Sequence, residues 1–149
     1  YDPCDQAKAR ELYIRATTGT YSKAAGEDDT SIANGITGYK GRVHVNFSTP
    51  VSEPFEDSKL LASEMDRHIL SGYRLFPAHY LAYAQWSDAD PQLQVPLAAQ
   101  VFPAEELAKA QEEWQRRLDA CPAEHRPYLV LQYAMPVRNQ YRIKAGLAL

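Results

Sequence analysis

Histidine and cysteine side chains are the groups that could bind a metal or act as nucleophiles. The chain has four histidines and two cysteines, Cys4 and Cys121. Their spacing matches neither paired zinc-binding cysteines nor the paired histidines of helical metalloprotease sites. Cys121 and His125 are four positions apart, a spacing that is common by chance. A nucleophilic cysteine would need a histidine beside it, and an ordinary buried cysteine is the simpler interpretation. We predict no metal site and no catalytic residue.

Three basic residues, Lys40, Arg42 and His44, occupy every second position of one stretch. Side chains with this spacing project from the same face of an extended strand. Ammonium and guanidinium groups are suited to a phosphate headgroup, so these three residues are the candidate substrate-binding residues. The alternative is a solvated strand face whose charges discourage pairing with another edge. The pattern alone leaves both interpretations open.

The C-terminal segment carries basic and tyrosine side chains and no acidic residue after Glu124. Each basic residue close to an anionic membrane contributes on the order of 1 kcal/mol to binding. This segment could therefore contact lipid, or it could be an amphipathic helix with packed tyrosines and solvated arginines. The residues concerned are Arg126, Arg138, Arg142 and Lys144, with Tyr128, Tyr133 and Tyr141.

The clearest strand signal covers the same stretch as the basic residues. Val43, Val45 and Phe47 alternate with polar residues, which predicts a half-buried strand over about 42–48 that ends before Pro50. One strand cannot form a sheet, and the remainder of the chain has mainly helical patterns. We therefore predict an α/β fragment, mostly helical, whose single strand completes a sheet lying outside this chain.

Helical patterns account for most other segments. Asp5 is predicted to cap a first helix over about 6–16, and Asp57 or Ser58 to cap a long one. Further helices follow Pro77 and Pro103, the latter with Leu107, Trp114 and Leu118 on one face. The loop over 87–96 is the best internal boundary. Pro136 is predicted to interrupt the last segment.

The bulk properties exclude several classes of protein. Hydrophobic residues make up 45% and charged residues 23%, which permits a packed core. The net charge of −3 gives no basis for a nucleic-acid partner. No apolar run reaches the roughly 20 residues that cross a bilayer. Two cysteines fit a reducing compartment, and a polar start without methionine predicts a processed protein or a fragment.

Several short segments, taken in their order along the chain, resemble segments of a known protein family. The first are Tyr1-Asp2-Pro3-Cys4-Asp5, Lys8-Ala9-Arg10-Glu11-Leu12-Tyr13, Gly26-Glu27-Asp28, Ser31-Ile32 and Gly35-Ile36. The later ones are Gly38-Tyr39-Lys40-Gly41-Arg42-Val43-His44, Asp66-Arg67-His68-Ile69, Tyr73-Arg74-Leu75-Phe76-Pro77 and Tyr133-Ala134-Met135-Pro136-Val137-Arg138-Asn139. Together they resemble the end of a bacterial branch of the phospholipid/glycerol acyltransferases, the PlsC-like 1-acylglycerol-3-phosphate acyltransferase family.

This family uses a histidine as general base and an aspartate five positions later that orients it, with a Glu-Gly-Thr-Arg block for phosphate. Neither block occurs here. The residues five positions after the four histidines are Thr49, Tyr73, Ala84 and Val130. By resemblance both blocks would lie upstream of Tyr1. Ser48 stands where the family has a glycine, which leaves the tightness of that turn in doubt.

The resemblance implies the C-terminal portion of an enzyme that moves a fatty acyl group from an acyl thioester to a glycerolipid or lysophospholipid hydroxyl. Residues 1–55 would finish its α/β domain, and 56–149 would form a helical extension. The donor would be acyl-CoA or acyl-carrier protein, with no cofactor, and this chain alone would be inactive. We expect a cytoplasmic protein, peripheral at the inner membrane. The alternative is a non-enzymatic helical protein-interaction module.

Overall fold

The computed structural model describes residues 1–52, 54–86 and 88–147. Within these ranges the secondary structure is helical. The elements are α1 (Asp5–Thr18), α2 (Glu27–Thr37), α3 (Ser58–Ser71), α4 (Pro77–Gln85), α5 (Ala98–Val101), α6 (Ala104–Asp119), a short 3₁₀ turn (Ala123–His125) and α7 (Arg126–Lys144). Ser87, the first residue of the predicted loop over 87–96, lies outside the described residues.

The core lies where α1, α4 and α6 surround α7. Trp114 of α6 is 2% exposed and packs edge to face against Tyr133 of α7, with the two ring centres 5.3 Å apart. Small residues at the contacts, Ala9, Ala82 and Ala134, are fully buried and allow the helices to approach closely. The long α7, most of whose residues are buried or half-buried, is therefore the element on which the others are assembled.

The predicted apolar face of α6 is confirmed. Leu107, Trp114 and Leu118 are all buried, while Glu105, Lys109, Glu112 and Arg116 lie outward. Arg117 is the exception among the charges, because it turns inward to Asp5. Asp57 is also confirmed as the cap of α3, because its Oδ1 accepts hydrogen bonds from the amides of Lys59 and Leu60 at 2.7 and 2.9 Å. Local periodicity and capping chemistry were sufficient for both elements.

The predicted interruption of the last segment is wrong. Pro136 lies inside α7, which continues to Lys144. Proline removes one helical hydrogen bond, but Tyr133, Ala134 and Val137 beside it are buried against the neighbouring helices. This packing holds α7 continuous through the proline.

The predicted strand is also wrong, and with it the α/β class. No strand occurs in the described residues, and the segment between α2 and α3 is extended but unpaired. Val43, Val45 and Phe47 are 68%, 67% and 91% exposed. The side chains still alternate, but the polar residues between these three face the helices and the apolar residues face solvent. With no neighbouring strand in the described part of the chain, nothing covers the apolar side.

Residues on both sides of the predicted division at about 55 pack together, since α1 contacts α7. The division into 1–55 and 56–149 stays a prediction. Helices α2 and α3 contain no fully buried residue, and each leaves apolar side chains in solvent. These are Ile32 and Ile36 on α2, and Leu60, Met65 and Ile69 on α3.

Candidate functional site

Two cavities flank the extended segment. We call the larger one the tyrosine cavity; it has a volume of ≈ 540 Å³, with walls that include Tyr1, Tyr39, Phe76, His79 and Tyr133. The smaller, the histidine cavity, has a volume of ≈ 360 Å³ and is lined in part by His44, His68 and His79. Phe76 and His79, at the start of α4, line both cavities and separate them.

Lys40 lies in the wall of the tyrosine cavity. Its Nζ donates to the backbone oxygens of Ile36 and Gly38 at 3.1 and 3.2 Å. These carbonyls belong to the end of α2, where a positive charge is favourable because the last carbonyls lack helical partners. Lys40 thus fixes the end of α2 and brings a cation to the cavity.

Arg42 lies in the same wall and already has partners. Its Nη2 is 2.5 Å from Glu106 Oε1 of α6, and its guanidinium carbon is 5.1 Å from the Phe76 ring centre. The pair is largely exposed, so it contributes little to stability and could be exchanged for another anion. Arg42 connects the extended segment to α6 and α4.

His44 lies in the other cavity. The structure therefore brings Lys40 and Arg42 together and separates His44 from them. The reason is that the extended segment passes over Phe76, which stands between the two cavities. The three predicted residues do not share one cavity.

The charges around the tyrosine cavity balance. Its lining contains three bases, Lys40, Arg42 and Lys109, and three acids, Glu105, Glu106 and Glu113. Lys109 Nζ is 2.7 Å from Glu105 Oε1. An anion bound here would therefore compete with the glutamates that already pair with Arg42 and Lys109.

A buried polar cluster lies under the same cavity. Asp5 is 1% exposed, and its Oδ2 accepts hydrogen bonds from Arg117 Nη1 at 2.6 Å and from the Tyr133 hydroxyl at 2.5 Å. The backbone nitrogen of Asp2 donates to the Tyr133 hydroxyl at 3.0 Å. Burial, and then the bond to Asp5, raise the pKa of Tyr133 far above its usual range.

The sequence did not predict this cluster. Asp5 was expected to cap α1, but it is the first helical residue and its side chain forms no cap. Its partners are 112 and 128 positions away. No local pattern signals such a pair; a lone aspartate next to an apolar helical face was the only available hint.

Tyr1 forms the wall of the tyrosine cavity above this cluster. Its ring lies 4.3 Å from the Arg117 guanidinium carbon and 5.5 Å, centre to centre, from the Tyr133 ring. Its hydroxyl is buried without a hydrogen-bond partner among the described residues. Burial, followed by the nearby charge of Glu113, raises the pKa of Tyr1 to about 12.

His79 is neutral at physiological pH. Burial, and then the positive charge of the Tyr1 amino group, lower its pKa to about 4. Its Nδ1 accepts a hydrogen bond from the amide of Phe76 at 2.9 Å, at the third position of α4. The proton of the neutral ring is therefore on Nε2, and Nδ1 is not free to accept another. His79 caps α4 and can act only as a donor through its other nitrogen.

The cysteines lie away from both cavities. Cys121 is buried, and burial raises the pKa of its thiol, which disfavours the reactive thiolate. Cys4 Sγ is 3.4 Å from the Ser31 backbone oxygen and holds α1 near α2. Across residues 1–52, 54–86 and 88–147, no group of three or more potential ligands is placed to hold a metal ion.

The basic, tyrosine-containing tail is mostly packed. Tyr133 is buried, the Tyr141 hydroxyl is 3.2 Å from that of Tyr80, and Arg142 Nη1 is 3.0 Å from Asp90 Oδ2. Arg126 Nε donates to the Cys121 backbone oxygen at 3.0 Å. These contacts favour the packed-helix interpretation of the tail over direct contact with lipid.

Comparison of the chain with protein-family models, with curated proteins and with solved structures found no match. Within its described residues, none of the helices has the length and apolar character needed to cross a membrane.

Proposed function

We propose that this chain is the C-terminal portion of an acyltransferase. The enzyme would transfer a fatty acyl group from acyl-CoA or acyl-carrier protein to a glycerolipid or lysophospholipid hydroxyl. The observation that carries the proposal is the family resemblance of 38–44, whose basic residues Lys40 and Arg42 line one aromatic-walled cavity. The general base and its aspartate would come from residues outside this sequence.

The role proposed for this chain is to position the acceptor. Tyr39 and Phe76 offer flat apolar surfaces for carbon chains, and Lys40 and Arg42 offer donors for the polar end. The Arg42–Glu106 pair is exposed, so an acceptor anion could replace Glu106 at low cost. Residues that hold the acceptor in this way raise the reaction rate by orienting it and take no part in the bond-making steps.

The test is acyl transfer by the native gene product with lysophosphatidate as acceptor. Lys40→Gln combined with Arg42→Gln should raise the KM for lysophosphatidate about tenfold or more, since two charge-assisted hydrogen bonds are lost. The KM for the acyl donor should not change. Lys23→Gln is the matched control, because Lys23 is an exposed lysine paired with Asp28 away from the cavity.

Unchanged acceptor KM in the double variant would remove the positioning role. The isolated 149-residue chain should show no acyl transfer at all. Transfer by this chain alone would contradict the proposal that the catalytic pair lies elsewhere.

Peripheral membrane contact is part of the same proposal. Leu60, Met65 and Ile69 leave apolar side chains exposed on α3, which would be the surface that enters a bilayer interface. Sedimentation of the gene product with anionic vesicles should be lost in a Met65→Ser, Ile69→Ser variant. Equal sedimentation of this variant would argue against α3 as the contact.

The second candidate is a non-enzymatic helical protein-interaction module. It is favoured by the buried core that α1, α4, α6 and α7 form, and by the apolar residues exposed on α2 and α3. A monodisperse 149-residue chain with one cooperative unfolding transition would favour this module. Aggregation of the isolated chain would favour the acyltransferase portion.

A further inference from the structure

The lining of the histidine cavity differs from that of the tyrosine cavity in charge. The polar side chains around it include His44, Asn46, Ser48, His68 and Arg74. No aspartate or glutamate of the described chain lines it, whereas three glutamates line the tyrosine cavity. All five side chains can donate hydrogen bonds. The cavity is thus rich in donors and free of competing carboxylates.

Arg74 provides a permanent positive charge in this lining. Its guanidinium carbon is 5.9 Å from the Phe76 ring centre, and none of the carboxylates that the structure describes forms an ion pair with it. Arg42, on the other side of the same ring, is paired with Glu106. Since a guanidinium binds phosphate oxygens through two parallel hydrogen bonds, Arg74 is the better placed of the two to receive an anion.

Glu64 of α3 contacts His68 of the cavity lining and is already bound on two sides. Its Oε1 is 2.5 Å from Arg67 Nη2 and 2.8 Å from His68 Nε2. The bond to Arg67 is the main reason that the pKa of Glu64 falls to about 2. Its negative charge is offset by Arg67, and the bond to His68 orients that imidazole at the cavity.

Gly72 lets the Asn46 amide approach the end of α3. A Cβ atom at position 72 would lie 2.0 Å from Asn46 Nδ2 and 2.7 Å from its Cγ. The backbone of Gly72 has φ −79°, which any residue can adopt, so the obstacle to a larger side chain is Asn46 and not backbone strain. Asn46 therefore owes its position beside α3 to the missing side chain.

From these observations we infer that the histidine cavity binds a phosphate monoester, with Arg74 as the fixed charge and Asn46, Ser48 and His44 as donors. A volume of ≈ 360 Å³ holds a phosphate and a few further atoms, and Ile69 and Pro136 provide apolar contact for carbon. Because the proposed function places the acceptor headgroup at Lys40 and Arg42, the ligand of the histidine cavity is a separate phosphate ester. Its binding does not rest on the proposed function and can be measured without acyl transfer.

The test is calorimetric titration of the 149-residue chain with three ligands. These are inorganic phosphate, sn-glycerol 3-phosphate, and lysophosphatidate below its micelle concentration. Arg74→Gln should weaken binding of inorganic phosphate and of sn-glycerol 3-phosphate about tenfold or more, because a charge-assisted hydrogen bond is lost. Arg116→Gln is the matched control, since Arg116 lines neither cavity and its Nε donates to the Glu112 backbone oxygen of its own helix. Loss of the two smaller ligands alone in Arg74→Gln identifies a separate phosphate-ester site. Loss of lysophosphatidate as well would place the lipid headgroup in this cavity and remove the positioning role of Lys40 and Arg42.

Gly72→Ala is the second variant, because it displaces Asn46 without removing a charge. It should also weaken phosphate binding several-fold, with no loss of helicity by circular dichroism. Wild-type affinity in both variants, or no phosphate binding by the chain, would overturn the inference, as would loss of binding only in Lys40→Gln. Binding that depends on Arg74 in a protein whose gene product transfers no acyl group would keep the inference and remove the proposed function.

Discussion

At the scale of single residues, His79 has two structural tasks that require a neutral ring. It accepts the Phe76 amide at the start of α4, and it fills the wall between the two cavities. Protonation would place a charge in a partly buried position and remove the acceptor. The pKa of about 4, set first by burial, is the consequence.

We expect the stability of the chain to depend on His79 between pH 6.5 and 4. As the pH falls through 6.5 the unfolded chain takes up a proton, whereas the folded chain does so only near pH 4. The free energy of unfolding therefore falls with pH across this window, by at most about 3 kcal/mol from this group. Urea unfolding of wild type and His79→Gln at both pH values measures it.

Glutamine at position 79 keeps an acceptor for the Phe76 amide but has no proton to gain, so its pH dependence should be flatter. His44→Gln serves as the control, because His44 is exposed and its loss should leave the slope intact. An identical slope in wild type and His79→Gln would show that other groups cause the acid sensitivity. Glu64, with a pKa of about 2, loses its own contribution only at lower pH.

At the scale of elements, Asp5 attaches α1 to α6 and α7 through its buried bonds to Arg117 and Tyr133. Arg117→Met should reduce the free energy of unfolding by about 3 kcal/mol, because it leaves a buried carboxylate without its cation. Lys109→Met, which breaks an exposed pair with Glu105, should cost less than about 1 kcal/mol. Urea denaturation of both variants makes the comparison, and equal losses would contradict a buried role for Asp5.

The elements that could be predicted from sequence are those specified locally. The stripe of Leu107, Trp114 and Leu118 and the cap at Asp57 need only neighbouring residues, and both are confirmed. The strand over 42–48 could not be judged locally, because a period of two fits an extended segment whether or not a partner strand exists. The continuity of α7 through Pro136 depends on its packing against distant helices.

The candidate sites divide in the same way. Lys40 and Arg42 were identified because they are close in sequence, and they do share a cavity. His44 is just as close but lies beyond Phe76, which no spacing rule could indicate. Tyr1 meets Arg117 and Tyr133 over separations of more than one hundred residues, so their cluster follows from the fold alone.

At the scale of the whole molecule, one helical core coexists with a large amount of exposed apolar surface. Phe47→Ser should change the free energy of unfolding by less than about 0.5 kcal/mol, because Phe47 is in solvent. Leu129→Ala, at a fully buried position in the first turn of α7, should cost about 2–5 kcal/mol. Thermal or urea unfolding of the 149-residue chain provides both values, and a loss for Phe47→Ser as large as that for Leu129→Ala would place Phe47 in a core.

We propose above all that this chain is the C-terminal portion of an acyltransferase acting on glycerolipid or lysophospholipid acceptors. The most direct test is to sequence the native gene upstream of the Tyr1 codon. We expect an open reading frame that encodes a histidine and an aspartate separated by four residues, followed by Glu-Gly-Thr-Arg. A start codon at the boundary, or an unrelated upstream domain, would contradict the claim and favour the helical interaction module.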